Sequence, residues 1–192
     1  MKTTLKKGIL SSSYRQDMKA VSNPTAQFGI LLQPTENEQR QYNILIYIAK
    51  EGYKKFGHYS IGVDLLLSGG LRISELISEP TIFVTTTHQI IIKGRKGSND
   101  KIITPLYNVD YWQNYQGWVH NPCYIVSRFS WYRFLKNQGI QLYEKGKKNA
   151  SVTHVPRKLK AHELYTNNIN ESTIQNVIGH KNVNSTKYYK PK

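Results

Sequence analysis

One block of this 192-residue chain does most to set its fold class: residues 81–106, where helical apolar spacing gives way to extended patterning. Thr81 to Thr87 is β-branched and aromatic, Gln89 to Lys93 contains three consecutive isoleucines, and Lys101 to Leu106 reads Lys-Ile-Ile-Thr-Pro-Leu. Gly94, Gly97, Ser98, Asn99 and Asp100 supply the turn between the last two runs. The block predicts a small three-stranded antiparallel sheet set among helices, an α+β chain that is mainly helical.

The flanking segments read as helix. Thr35 is placed as an N-cap with Glu38 three residues on, a capping box that opens a helix running to about Phe56. A second helix spans roughly His58 to Ser68, with Ile61, Leu65 and Leu66 on one face. Gly69-Gly70 interrupts it, and Leu71 to Ile77 opens a short third. After the sheet, residues 107–150 are rich in Tyr and Trp, read here mostly as core or its rim, with a helix around Ser130 to Gln138. Two more helices are expected over 157–167 and 171–178, turning at Asn167-Asn168. The organisation expected is a basic N-terminal arm or remnant segment, 1–32, and one domain, 33–192.

Charge narrows the partner. Against 27 Lys and Arg stand 12 Asp and Glu, a net +15 at pH 7, so a polyanion is expected and nucleic acid leads. Cys123 is the single cysteine, which excludes an intramolecular disulfide and any Cys-based zinc site of four ligands. His120 lies three residues before it, but nothing supplies the other half of a site, so no metal is expected. No apolar run approaches the ~18 residues of a membrane span. The basic N-terminus has no apolar core with a cleavage site, which places the protein inside the cell: cytoplasmic and nucleoid-associated or, for a viral protein, in the host interior.

Several weak local features gain meaning from their order. Gly70-Leu71-Arg72-Ile73-Ser74-Glu75 puts an arginine at a helix start after a glycine break. Lys96-Gly97 sits in the hairpin turn, and His154-Val155-Pro156-Arg157 sets His and Arg three apart. Ile178-Gly179-His180 is followed nine residues later by Tyr189, with Thr186 between. In this order the chain resembles the tyrosine recombinase (phage integrase) family over about residues 33–189, including Thr173-Ile174-Gln175 ahead of the Gly-His pair. The family shares its catalytic fold with type IB topoisomerases.

The resemblance implies a site-specific recombinase that breaks and rejoins double-stranded DNA without cofactor or metal. Tyr189 would be the nucleophile, storing the phosphodiester energy as a 3′-phosphotyrosyl ester and releasing a 5′ hydroxyl. Arg72 and Arg157 would hold the charge on the phosphoryl oxygens, since a guanidinium fork makes paired charge-assisted bonds to phosphate. His154 and His180 would hydrogen-bond the phosphate and manage protons. Lys96 would protonate the leaving oxygen, with Lys93 the runner-up and Lys101 also nearby; Pro105 falls one residue later than the family spacing. Glu75 would support Arg72, and Tyr188 is the competing tyrosine. A homo-tetramer on two DNA sites is implied, with accessory DNA-binding proteins as further partners.

The chain also departs from the family. Only 32 residues precede Gln33, where most members carry a separate helical domain; Pro156 replaces a usual Leu and Lys158 a frequent His; three residues follow Tyr189. The alternatives are a recombinase-derived DNA-binding regulator that no longer cuts, and a monomeric type IB topoisomerase. The remaining basic residues, including the arm and Lys145 to Lys148, would neutralise other phosphates.

Overall fold

A computed structural model describes residues 36–95, 99–141, 152–187 and 189–190. The 1–32 arm, Thr35, Lys96, Lys145 to Lys148 and Tyr188 lie outside the described residues. A long helix α1 (Glu36–Phe56), kinked at Gly52 (φ 70°), is followed by α2 (His58–Gly69) and the one-turn α3 (Ile73–Leu76). The strands β1 (Thr81–Val84), β2 (Ile90–Ile92) and β3 (Lys101–Ile103) come next, then the short α4 (Val109–Trp112) and a strand β4 (Gly117–His120). The rest is helical: α5 (Arg128–Asn137), a 3₁₀ turn (Val152–His154), α6 (Val155–Thr166), α7 (Glu171–Ile178) and α8 (Val183–Lys187).

The sheet has four strands, not the three expected, in the order β3-β2-β1-β4. The added strand pairs antiparallel with β1, matching Ile82 to Val119 and Phe83 to Trp118. Its sequence, Gly-Trp-Val-His, alternates half-buried and exposed positions and stands at the sheet edge. Such a short, half-wet strand takes its extended form from the neighbour it pairs with, which explains why its own residues do not announce it. The first strand is also shorter than expected: it ends at Val84, and the Thr85 amide already turns back to the Gln89 carbonyl (2.9 Å).

The core forms around α2, whose residues Ser60 to Leu67 are all buried. Leu45, Ile48 and Ala49 of α1 face it, and Trp131 and Leu135 of α5 close it. Gly62 is required at the α2–α5 crossing, because a Cβ there would sit 2.3 Å from the Trp131 ring. Asp64, wholly buried on α2, accepts the amides of Leu106 (3.0 Å), Tyr107 (3.1 Å) and Asn108 (2.8 Å) and the Ser68 hydroxyl (2.9 Å). The chain leaving β3 is thereby bound to α2, which aims the inner face of β3 at the next site. Ser127 caps α5 by accepting the Ser130 amide (3.1 Å). Among the described residues no helix is long and apolar enough to cross a membrane.

Candidate active site

The site begins where α2 stops. Gly70 adopts the left-handed conformation (φ 56°), and a Cβ there would lie 2.6 Å from the Ile178 side chain. This break turns the chain so that Arg72 becomes the extended N-cap of α3 and the Gly70 carbonyl is left pointing inward. Glu75, at the third position of α3, reaches back: one carboxylate oxygen accepts the Arg72 amide (2.7 Å), the other its guanidinium (2.8 Å). Arg72 is thus held from both ends, while its side chain stays 32% exposed.

Two more cations converge on Glu75 from distant parts of the chain. Lys101 on β3 donates to its carboxylate (3.3 Å) and Arg157 on α6 stands 3.9 Å away. Arg157 also donates to the freed Gly70 carbonyl (2.7 Å). Both are almost fully buried, and so is Glu75. Burial alone would raise the Glu75 carboxyl, but Lys101, the Arg72 amide, Arg157 and Arg72 outweigh it and hold it below the usual range. Burial and the neighbouring Arg72 bring Arg157 down to about 10, against the support of Tyr189 and Glu75, so it stays charged at neutral pH. Among the described residues, three basic side chains converge on this one carboxylate, so basic groups outnumber acidic ones here. The Arg157 Nη2 is buried without a hydrogen-bond partner among the described residues.

The histidines and the tyrosine flank this cluster. His154 ends the 3₁₀ turn and leads α6, whose first turn accepts Pro156 because proline's missing amide would be unpaired there anyway. Burial and then Arg157, Arg128 and Arg72 lower the His154 pKa, which favours its neutral form. At the far end, Gly179 (φ 71°) terminates α7 in a left-handed cap, with the Gly179 and His180 amides both donating to the Gln175 carbonyl (2.8 and 2.9 Å). The His180 Nδ1 lies 3.0 Å from the Thr186 hydroxyl, and the Gln175 amide donates to the His180 carbonyl (3.0 Å). Burial, Arg157, Arg72 and Lys101 push His180 down to about 4, partly opposed by Glu75. The Tyr189 ring stacks on the His180 imidazole, centroids 5.2 Å apart at 30°. Its amide donates to the Thr186 carbonyl (2.9 Å), so one turn carries both the tyrosine and the support of the histidine.

Of the residues singled out in the sequence, Arg72, His154, Arg157, His180 and Tyr189 are brought into one neighbourhood around Glu75. Lys96 lies outside the described residues, and Lys93 is exposed at the end of β2. Lys101, which the sequence shows only as one of three nearby lysines, has its ammonium turned into the protein. Arg128, exposed at the first position of α5, acts electrostatically on His154, and sequence order offers no signal for it. Among the described residues no cluster of His, Cys, Asp and Glu could hold a metal ion.

No protein-family description matches the chain, and no curated protein does. Among solved structures the chain is similar to the Tn1549 transposon integrase in complex with a circular intermediate DNA. The TM-score is 0.51 at 19% identity, covering 85% of this chain and 62% of that one. A second structure of the same integrase with circular intermediate DNA gives a TM-score of 0.48 at 19% identity, over 85% and 63% of the two chains. The chain therefore spans less than two thirds of that integrase. The shared property is the fold alone: a mainly helical domain with a small four-stranded antiparallel sheet.

Proposed function

We propose that the chain is a tyrosine-type DNA strand-exchange enzyme, cutting and rejoining double-stranded DNA through a covalent 3′-phosphotyrosyl intermediate at Tyr189. One observation carries the reading: a tyrosine stacked on a neutral histidine, beside a buried arginine, in a cluster with more cations than carboxylates. Such a cluster suits a phosphodiester, whose phosphoryl oxygens gather charge in the transition state. Likeness in fold to an integrase bound to DNA agrees with it.

In this mechanism the scissile phosphate sits against Arg72 and Arg157. Arg72, anchored by Glu75, presents the exposed fork; the unpartnered Nη2 of Arg157 is a second donor. The Tyr189 oxygen attacks phosphorus, forming the phosphotyrosyl bond as the bond to the 5′ oxygen breaks. The phenolic proton passes to a neutral histidine, His154 or His180, and the departing 5′ oxygen takes a proton from Lys96. Reversal with a different 5′ hydroxyl rejoins the strand, so bond energy is conserved and no nucleotide is needed. Two DNA sites bridged by a homo-tetramer is the assembly this chemistry would use.

The test is a duplex nicked near the cleavage point, which traps the covalent adduct. Wild-type protein is expected to give a denaturation-resistant protein–DNA species. Tyr189→Phe should abolish it and leave DNA binding nearly intact. An adduct that survives in Tyr189→Phe moves the nucleophile to Tyr188. Binding without any wild-type adduct would make the protein a non-cutting DNA binder, and relaxation of supercoiled plasmid lacking paired sites would make it a topoisomerase.

A further inference from the structure

The mechanism leaves one buried charge of the cluster unused. Lys101 is 7% exposed, yet it is not a misplaced surface lysine, because strand alternation puts it on the inner face of β3 with Ile103. Its Nζ meets three acceptors: the Ile178 carbonyl (3.0 Å), the Glu75 carboxylate (3.3 Å) and the Gly70 carbonyl (3.5 Å). An ammonium has three N–H donors and no acceptor, so it satisfies this set in full; a neutral amine would face one acceptor with a lone pair. Its proton donors are therefore committed inward, away from any leaving group.

The three acceptors belong to different parts of the site. Gly70 ends α2 and leads into Arg72; Glu75 anchors Arg72; Ile178 is the last residue of α7, two before His180. Two of the left-handed glycines, Gly70 and Gly179, adjoin these anchor points. We propose that Lys101 is a positioning residue whose ammonium ties the Arg72 turn to the His180 turn, so that arginines and histidine address one phosphate. This rests on the strand-exchange reading for its consequence, though not for its geometry. Among the described residues, the charged groups that face Lys101 are Glu75 on α3, Arg72 before it and Arg157 on α6, with the neutral but titratable His180 after α7. Burial draws the ammonium down to about 7, against the pull of Glu75, which makes its hold sensitive to pH around neutrality.

The experiment compares full-length wild type, Lys101→Met and Lys101→Arg by two readouts. One is single-turnover adduct formation on the nicked duplex; the other is hydrogen exchange at the Gly179 and His180 amides. Lys101→Met keeps the stem and loses charge and donors. It should slow adduct formation about a hundredfold, as expected for a small displacement of reacting groups, with DNA binding retained. The two amides should exchange faster in it, and Lys101→Arg should restore both readouts in large part. Adduct formation at the wild-type rate in Lys101→Met, or unchanged exchange at those amides, overturns the proposal. If no variant forms an adduct yet the exchange difference is seen, the strand-exchange reading falls and the tie stands. Should Lys101→Met fail to fold, exchange at the two amides against pH decides. Wild type should loosen through about pH 7 while Lys101→Arg does not, and superimposable profiles overturn the proposal.

Discussion

Two buried carboxylates eleven residues apart, Asp64 and Glu75, solve the same problem in opposite ways. Asp64 is surrounded by neutral donors, three successive backbone amides and a serine hydroxyl, all within 3.1 Å. Its hydrogen bonds come from neutral groups, no cation among the described residues pairs with it, and its effect is to close the fold by fastening the β3 exit to α2. Glu75 is surrounded by cations, two arginines and a lysine, and by more of them than it can neutralise. Neutral hydrogen bonding makes a finished joint. An excess of basic groups makes a joint that suits an anion, and only this second arrangement points to chemistry.

The contrast can be broken most directly at Glu75. Glu75→Gln leaves three cations without their carboxylate and should cost about 3–5 kcal/mol of stability, the range for breaking a buried charge pair. Millimolar sulfate should return part of that loss by binding the native state alone, seen as a rise in melting temperature larger than in wild type. Asp64→Asn removes an acceptor from a set of neutral donors and should cost about 1–3 kcal/mol in urea unfolding. Sulfate should leave this variant no better off than wild type. Equal anion rescue of both variants would erase the distinction.

A further expected effect concerns pH. His180 sits at about 4 in the folded protein, against about 6.5 for an unperturbed imidazole. Between those values the unfolded chain binds more protons, so stability from this group is complete above about pH 6.5 and is lost as pH falls toward 4. His180→Gln should therefore show a shallower decline in unfolding free energy over that window, measured by urea melts at successive pH values. A decline as steep as wild type would mean that His180 is not held neutral by the cations around it.

Much of this architecture was legible from local chemistry. The Gly69-Gly70 interruption and the Asn167-Asn168 turn stand where α2 and α6 end, and Pro156 is accommodated in the first turn of α6. The isoleucine run of β2 and the Lys-Ile-Ile of β3 declared themselves by composition. Strand β4 did not, because Gly117 to His120 carries one β-branched residue and half its surface stays in water; pairing with β1 supplies what propensity lacks. At the site, Arg72 and Glu75 could be read as partners, being one helical turn apart. The inward turn of Lys101 could not, because three of its partners' atoms are backbone or carboxylate oxygens at 26, 31 and 77 residues' separation.

Sequence alone determined which segments are helix and which are strand over most of the chain. It also determined the order Arg72, His154, Arg157, His180, Tyr189 and the basic excess that predicts an anionic partner. These are properties of near neighbours and of totals. Tertiary structure alone decided that three cations would crowd one carboxylate, that His180 would be stripped of its charge and that Lys101 would face inward. Those outcomes depend on burial and on distances between groups far apart in the chain. Desolvation and Coulomb interactions act through space, and a linear sequence does not specify space until the core has packed.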